Sequence, residues 1–84
     1  MTQGELKTFI EGAFPNAQIQ LQDLTGSGDH WQVLVVSGDF EGKTRVEQHQ
    51  MVMEPLRERL HSNEIHALAL KTYTPEKWEK LQNS

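Results

Sequence analysis

Apolar positions along this chain alternate between two periods, one near 3.6 and one of two. Between Thr2 and Phe14, the residues Leu6, Phe9, Ile10, Ala13 and Phe14 fall on one face of a helix. Thr2 and Glu5 have the spacing of a capping box, in which each side chain meets the other's backbone amide. Pro15 ends the segment, because the residue before a proline disfavours helical geometry. From Ala17 to Leu24, Gln18, Gln20 and Gln22 alternate with Ile19 and Leu21, which predicts a strand with one wet face. A Gly-rich loop over 26–29 leads to a second strand, His30 to Ser37, and so short a connection predicts an antiparallel hairpin. Trp31, Val33 and Val35 share one of its faces; His30, Gln32, Leu34 and Val36 share the other.

A turn over 38–43 precedes a long helix, Thr44 to Leu60, whose apolar stripe reads Val46, His49, Met53, Leu56 and Leu60. Pro55 inside it predicts a kink or a broken first turn, since proline removes a backbone bond and crowds the preceding turn. A third strand, Glu64 to Thr72, follows. Thr74 and Pro75 then supply an N-cap and a first helical position, and the short last helix turns Trp78 and Leu81 inward. The order is α-β-β-α-β-α, an α+β domain with a three-stranded mixed sheet and its main helices on one face. The crossover between strands two and three is long enough for a right-handed parallel pair. A parallel pair would bring the two strand starts, with His30 and His66, to the same end of the sheet.

Length and composition narrow the function. The 84 residues read as one domain over 1–84, with an ordered core over about 2–81. A domain this small buries roughly 60–65% of its unfolded surface, which leaves little room for a large enzyme pocket. The chain has no cysteine, so neither a disulfide nor a thiolate ligand is available. That fits a reducing, cytoplasmic setting. The first residues carry no basic and apolar signal pattern, and no apolar run approaches a membrane span. A formal net charge of −4 argues mildly against a nucleic-acid binder.

Several stretches invite chemistry. Ser37 to Thr44 nearly spells a phosphate-binding loop, but the pattern wants glycine where Ser37 stands. The simpler reading is a tight turn with Phe40 packed under the sheet and Gly42 freeing the backbone. His49 falls on the long helix's apolar stripe and reads as a core or core-edge histidine held by a hydrogen bond. His61, near a helix C-terminus, complements the macrodipole. His30 and His66, at element ends, are the candidate metal ligands, but two imidazoles are too few for a structural zinc site. Any metal bound here must take further ligands from a partner. No nucleophile, base and oxyanion hole come together, so no enzyme is expected. Lys43 and Arg45 at the start of the long helix are the candidate nucleic-acid contacts.

The run Phe40-Glu41-Gly42-Lys43, followed by Val46 and His49, by Ile65-His66-Ala67-Leu68 and by Lys71 to Trp78, resembles the BolA family over nearly the whole chain. Gly28-Asp29-His30-Trp31 and the lack of cysteine look most like its YrbA/IbaG-type branch. The resemblance implies a class II KH-like fold and a non-catalytic partner of monothiol glutaredoxins. In such a pair a [2Fe–2S] cluster is shared with the glutaredoxin cysteine and a glutathione thiolate. His66 matches the family's strand histidine ligand. The family's second ligand comes from the loop between the first two strands, as cysteine or histidine. Here His30 is the histidine available, with Asp29 or no fixed ligand as alternatives. Imidazole suits iron, and histidine in place of thiolate raises a cluster's potential. The neutral imidazole ligates, so assembly is expected to weaken as pH falls through the histidine range near ~6.5. The family is also linked to DNA binding and transcriptional control. Gln48 and Gln50 stand where many relatives carry arginine, and each lost cation removes a potential phosphate contact.

Overall fold

The computed structural model of the chain describes residues 2–26, 30–62 and 67–83. The first helix, α1 (Gln3–Ala13), begins where the capping box predicts. The Thr2 hydroxyl accepts from the Glu5 amide at 3.2 Å, and the Glu5 carboxylate accepts from the Thr2 amide at 3.1 Å. Leu6 and Ile10 on its inner face are fully buried, Phe14 closes the stripe, and Ala13 is exposed.

The hairpin consists of β1 (Gln18–Asp23) and β2 (His30–Val36), paired antiparallel from Gln18 opposite Val36 to Asp23 opposite Trp31. Its loop opens on Asp23, whose carboxylate accepts from the amides of Thr25 and Gly26, and on Gly26 at φ +77°. A left-handed φ is tolerated there because glycine has no Cβ. After β2, Ser37 caps a single 3-10 turn, Gly38–Phe40. Phe40 is fully buried and meets the Phe14 ring at 5.4 Å, while Gly42 turns the chain at φ +76°. The phosphate-loop lookalike is therefore the tight turn expected from its residues.

The long helix, α2 (Arg45–His61), carries a second capping box between Thr44 and Glu47. It runs through Pro55 as one helix rather than breaking there. Val52 and Leu56, on either side of that proline, are both fully buried, and their packing holds the turn that loses a backbone bond. The apolar stripe differs from the expected one. Val52 and Leu56 form its centre, with Met51 and Leu60 packed beside them, whereas Val46 is 66% exposed. Val46 lies roughly a quarter-turn round the helix from that centre. The Arg59 guanidinium lies 4.7 Å from the centroid of Phe9, tying α2 to α1.

The last strand, β3 (Ala67–Tyr73), pairs parallel with β2, so the sheet order is β1-β2-β3. Trp31, Val33 and Val35 are buried in the core with residues of α1 and α2, and the partly buried Leu68 and Leu70 of β3 pack against them. The opposite face carries Gln20, Gln22, Gln32 and Leu34 in a shallow groove of about 330 Å³. The final helix, α3 (Pro75–Gln82), starts at a Thr74 cap and lays Trp78 against Tyr73, ring centroids 5.5 Å apart. Leu81 does not turn inward as expected but is 48% exposed, on a helix of eight residues that has no fully buried residue. No helix among the described residues is long and apolar enough to cross a membrane.

Candidate functional site

The parallel register decides which residues share an end of the sheet. His30 opens β2 and lies opposite Ala67, which opens the described part of β3. The backbone carbonyl of His30 accepts from the Leu24 amide at 2.8 Å, so the hairpin's closing bond holds this histidine in place. Its side chain is half-buried. His66, the preferred ligand, precedes Ala67 in the chain but lies outside the described residues, as does Asp29. Among the described residues no group of three or more His, Cys, Asp or Glu side chains converges to hold a metal ion. Among the described residues this end of the sheet offers the His30 imidazole, and the chain has no cysteine to supply a thiolate.

The start of α2 is a second place of interest. Lys43 and Arg45 are exposed there, as the sequence suggests. The capping box already occupies this helix end. The Thr44 amide donates to the Glu47 carboxylate at 2.9 Å, and the Glu47 amide donates to the Thr44 hydroxyl at 3.1 Å. The Thr44 backbone amide, then its hydroxyl, and less strongly the charge of Lys43 hold the Glu47 carboxyl below its usual range. An arriving phosphate would meet this carboxylate where free amides would otherwise attract it. Lys43 and Arg45 also part company. Lys43 interacts with Glu47, while Arg45 turns with His49 towards β3.

His49 is half-buried at the core edge, as expected, but its side chain makes no hydrogen bond among the described residues. Its neighbour Gln48 does that work. The Gln48 side-chain amide donates to the Phe40 carbonyl at 3.2 Å and to the Lys43 carbonyl at 3.0 Å. Its oxygen accepts from the Thr72 hydroxyl at 2.7 Å. One side chain thus joins the turn before α2 to β3. In the sequence Gln48 stands as a missing cation, because position alone does not reveal that its amide is spent inside the fold.

The family profile described as BolA-like protein matches residues 11–77. The chain belongs to the BolA-like family. The acid stress protein IbaG of Escherichia coli K12 is 39% identical over 72 residues, which span 84% of this chain and 86% of that protein. The DNA-binding transcriptional regulator BolA of the same strain is 44% identical over 59 residues, 70% of this chain and 55% of that one. The solution structure of mouse BolA1 superimposes with a TM-score of 0.78 at 30% identity, covering 95% of this chain and 70% of the mouse chain. The BolA-like helices and mixed sheet are thus those read from the sequence. The relatives' names describe a stress protein and a regulator, not enzymes.

Proposed function

We propose that this BolA-like chain is a non-catalytic partner of a monothiol glutaredoxin. The two proteins hold one [2Fe–2S] cluster between them, with His66 as this chain's principal ligand, in cluster trafficking or in iron and redox regulation. The observation that carries the reading is the parallel register of β2 and β3. It brings His30 level with Ala67, so the strand start that follows His66 shares an end with the hairpin loop. Family membership supports the same assignment. The cluster, when bound, supplies electron-transfer and iron–sulfur transfer chemistry. This chain's part is to present neutral imidazole to iron, leaving thiolate donors to the glutaredoxin and to glutathione. A reducing cytoplasmic location goes with that partnership.

The test is anaerobic reconstitution with a monothiol glutaredoxin, iron, sulfide and glutathione, followed by visible circular dichroism. His66→Ala is expected to alter or abolish the mixed-cluster spectrum while far-ultraviolet circular dichroism shows the domain still folded. His30→Ala is expected to have a smaller effect. Identical spectra and cluster lifetimes for wild type and His66→Ala would overturn the assignment.

A second reading, a KH-like nucleic-acid-binding regulator, draws on the name of the Escherichia coli relative BolA, a DNA-binding transcriptional regulator, and on Lys43 and Arg45 at the start of α2. Binding of single strands is expected no tighter than the non-specific range, about 10⁻⁴ to 10⁻⁶ M at physiological salt. Submicromolar, salt-sensitive binding lost in the Lys43→Glu, Arg45→Glu double variant would reverse the ranking.

A further inference from the structure

Strand β3 is an edge of the sheet, and its outer side is open. Ser37 donates its amide to the Tyr73 carbonyl at 3.1 Å, so Tyr73 directs its backbone groups towards β2. Strand periodicity then turns Lys71 and Ala69 the same way and leaves Leu68, Leu70 and Thr72 facing outward. The outward amides and carbonyls of Leu70 and Thr72 have no partner among the described residues. An unpaired edge of this kind is a template for another strand. A groove of about 280 Å³ runs along it, bounded by Arg45 and His49 of α2 and by Leu70, Lys71, Thr72 and Tyr73.

The charge of this groove is opposite to that of the chain. The protein carries a formal −4, yet Arg45 and Lys71 border the groove and no acidic residue among those described lines it. Neither cation has an ionic partner among the described residues. The two lie on different sides of the edge. Lys71 pairs with Leu34 and so shares the open face, whereas Arg45 belongs to α2 on the packed face. A second copy of this chain is a poor occupant. Antiparallel pairing of two β3 edges would bring the Lys71 side chains towards each other, and like charges across a strand pair are unfavourable.

We propose that the β3 edge receives an extended acidic segment of a partner protein as an added strand. Main-chain bonds to Leu70 and Thr72 give the pairing, and acidic side chains at two successive positions give the selectivity. Because side chains alternate across a strand, one carboxylate would face Arg45 and His49 while its neighbour faces Lys71. A peptide fits better than a nucleic acid, for two reasons. Both donor and acceptor recur at each outward residue, which suits a backbone strand. The capping box at the start of α2 also takes up the Thr44 and Glu47 amides and sets the Glu47 carboxylate where a phosphate would approach. This surface is separate from the His30 end and does not depend on the cluster-sharing role.

The experiment uses the full chain without glutaredoxin. A fluorescein-labelled peptide of about ten residues, Val and Thr around a central Asp-Glu pair, is titrated by anisotropy. The same peptide with Asn-Gln, and a labelled oligothymidylate, are run beside it. Binding of the acidic peptide is expected to weaken about tenfold on Asp-Glu to Asn-Gln exchange and similarly in Arg45→Ala, Lys71→Ala protein, with amide NMR shifts at Leu70 and Thr72. N-methylation of alternate peptide amides separates strand pairing from bare charge attraction. Methylation in one register is expected to abolish binding and in the other to spare it. Equal affinity for acidic and neutral peptides, indifference to N-methylation, or tighter binding of the oligothymidylate would each overturn the proposal.

Discussion

Replacing Gln48 by alanine removes three hydrogen bonds with one truncation. The amide nitrogen serves two carbonyls in the turn before α2, and the oxygen serves a hydroxyl on β3. A net hydrogen bond contributes about 0.5–1.5 kcal/mol, and the value rises when the group left behind is cut off from water. The Phe40 carbonyl keeps the Lys43 amide as a second partner at 3.1 Å, and the Lys43 carbonyl lies at an exposed residue. The loss should therefore fall near the lower end of the sum, about 1.5–2.5 kcal/mol. For a domain of this size that corresponds to a drop in Tm of roughly 8–15 °C. Urea and thermal unfolding, followed by circular dichroism, measure it. Gln48→Glu sharpens the comparison. It keeps the acceptor for Thr72 but sets a carboxylate against two carbonyls, which raises that carboxyl's folded pKa. The penalty is then present at neutral pH and is relieved as pH falls through the raised value, relative to wild type at each pH. A loss below about 0.5 kcal/mol for Gln48→Ala, within the usual range of surface changes, would refute the bridging role.

Other expectations concern the core, the caps and the rim. Leu56→Ala should cost about 2–5 kcal/mol, because Leu56 is fully buried beside Val52. Val46→Ser, at a residue 66% exposed, should stay within about 0.5 kcal/mol by the same unfolding assay. The Glu47 carboxyl is held below 4.5 by its capping bonds. Its stabilising effect is present above that value and is lost as pH falls through the folded pKa. The Tm gap between wild type and Glu47→Gln should therefore close in acid, and a gap independent of pH would contradict the capping account. The indole nitrogen of Trp78 is buried with no hydrogen-bond partner among the described residues. Trp78→Phe should consequently change stability by no more than about 1 kcal/mol, since removing an orphaned donor offsets the lost ring area.

Local signals in the sequence determined the element order, because each rests on chemistry within a few residues. The Thr2 and Glu5 pair starts α1, Pro15 stops it, the Gln18 to Gln22 alternation makes a half-wet strand, and Thr74 with Pro75 starts α3. The family was legible too, since Phe40-Glu41-Gly42-Lys43 and the residues around His66 are contiguous runs. Tertiary structure decided the rest. Whether His30 comes level with the start of β3 depends on a parallel register whose first partners, His30 and Ala67, lie 37 residues apart, roughly the span of a strand–helix–strand unit. The centre of the α2 stripe depends on which way that helix rolls onto the sheet. Val46 and Val52 are equally apolar, but only Val52 faces Trp31, Val33 and Phe40 in the buried cluster. Gln48 reads as an ordinary polar residue until the turn and Thr72, 24 residues away, arrive on either side of its amide. Hydrophobic period and capping act within one or two turns of chain, so the sequence carries them openly. Register, helix roll and amide bridges are set by contacts between segments, and only the packed fold supplies the partner.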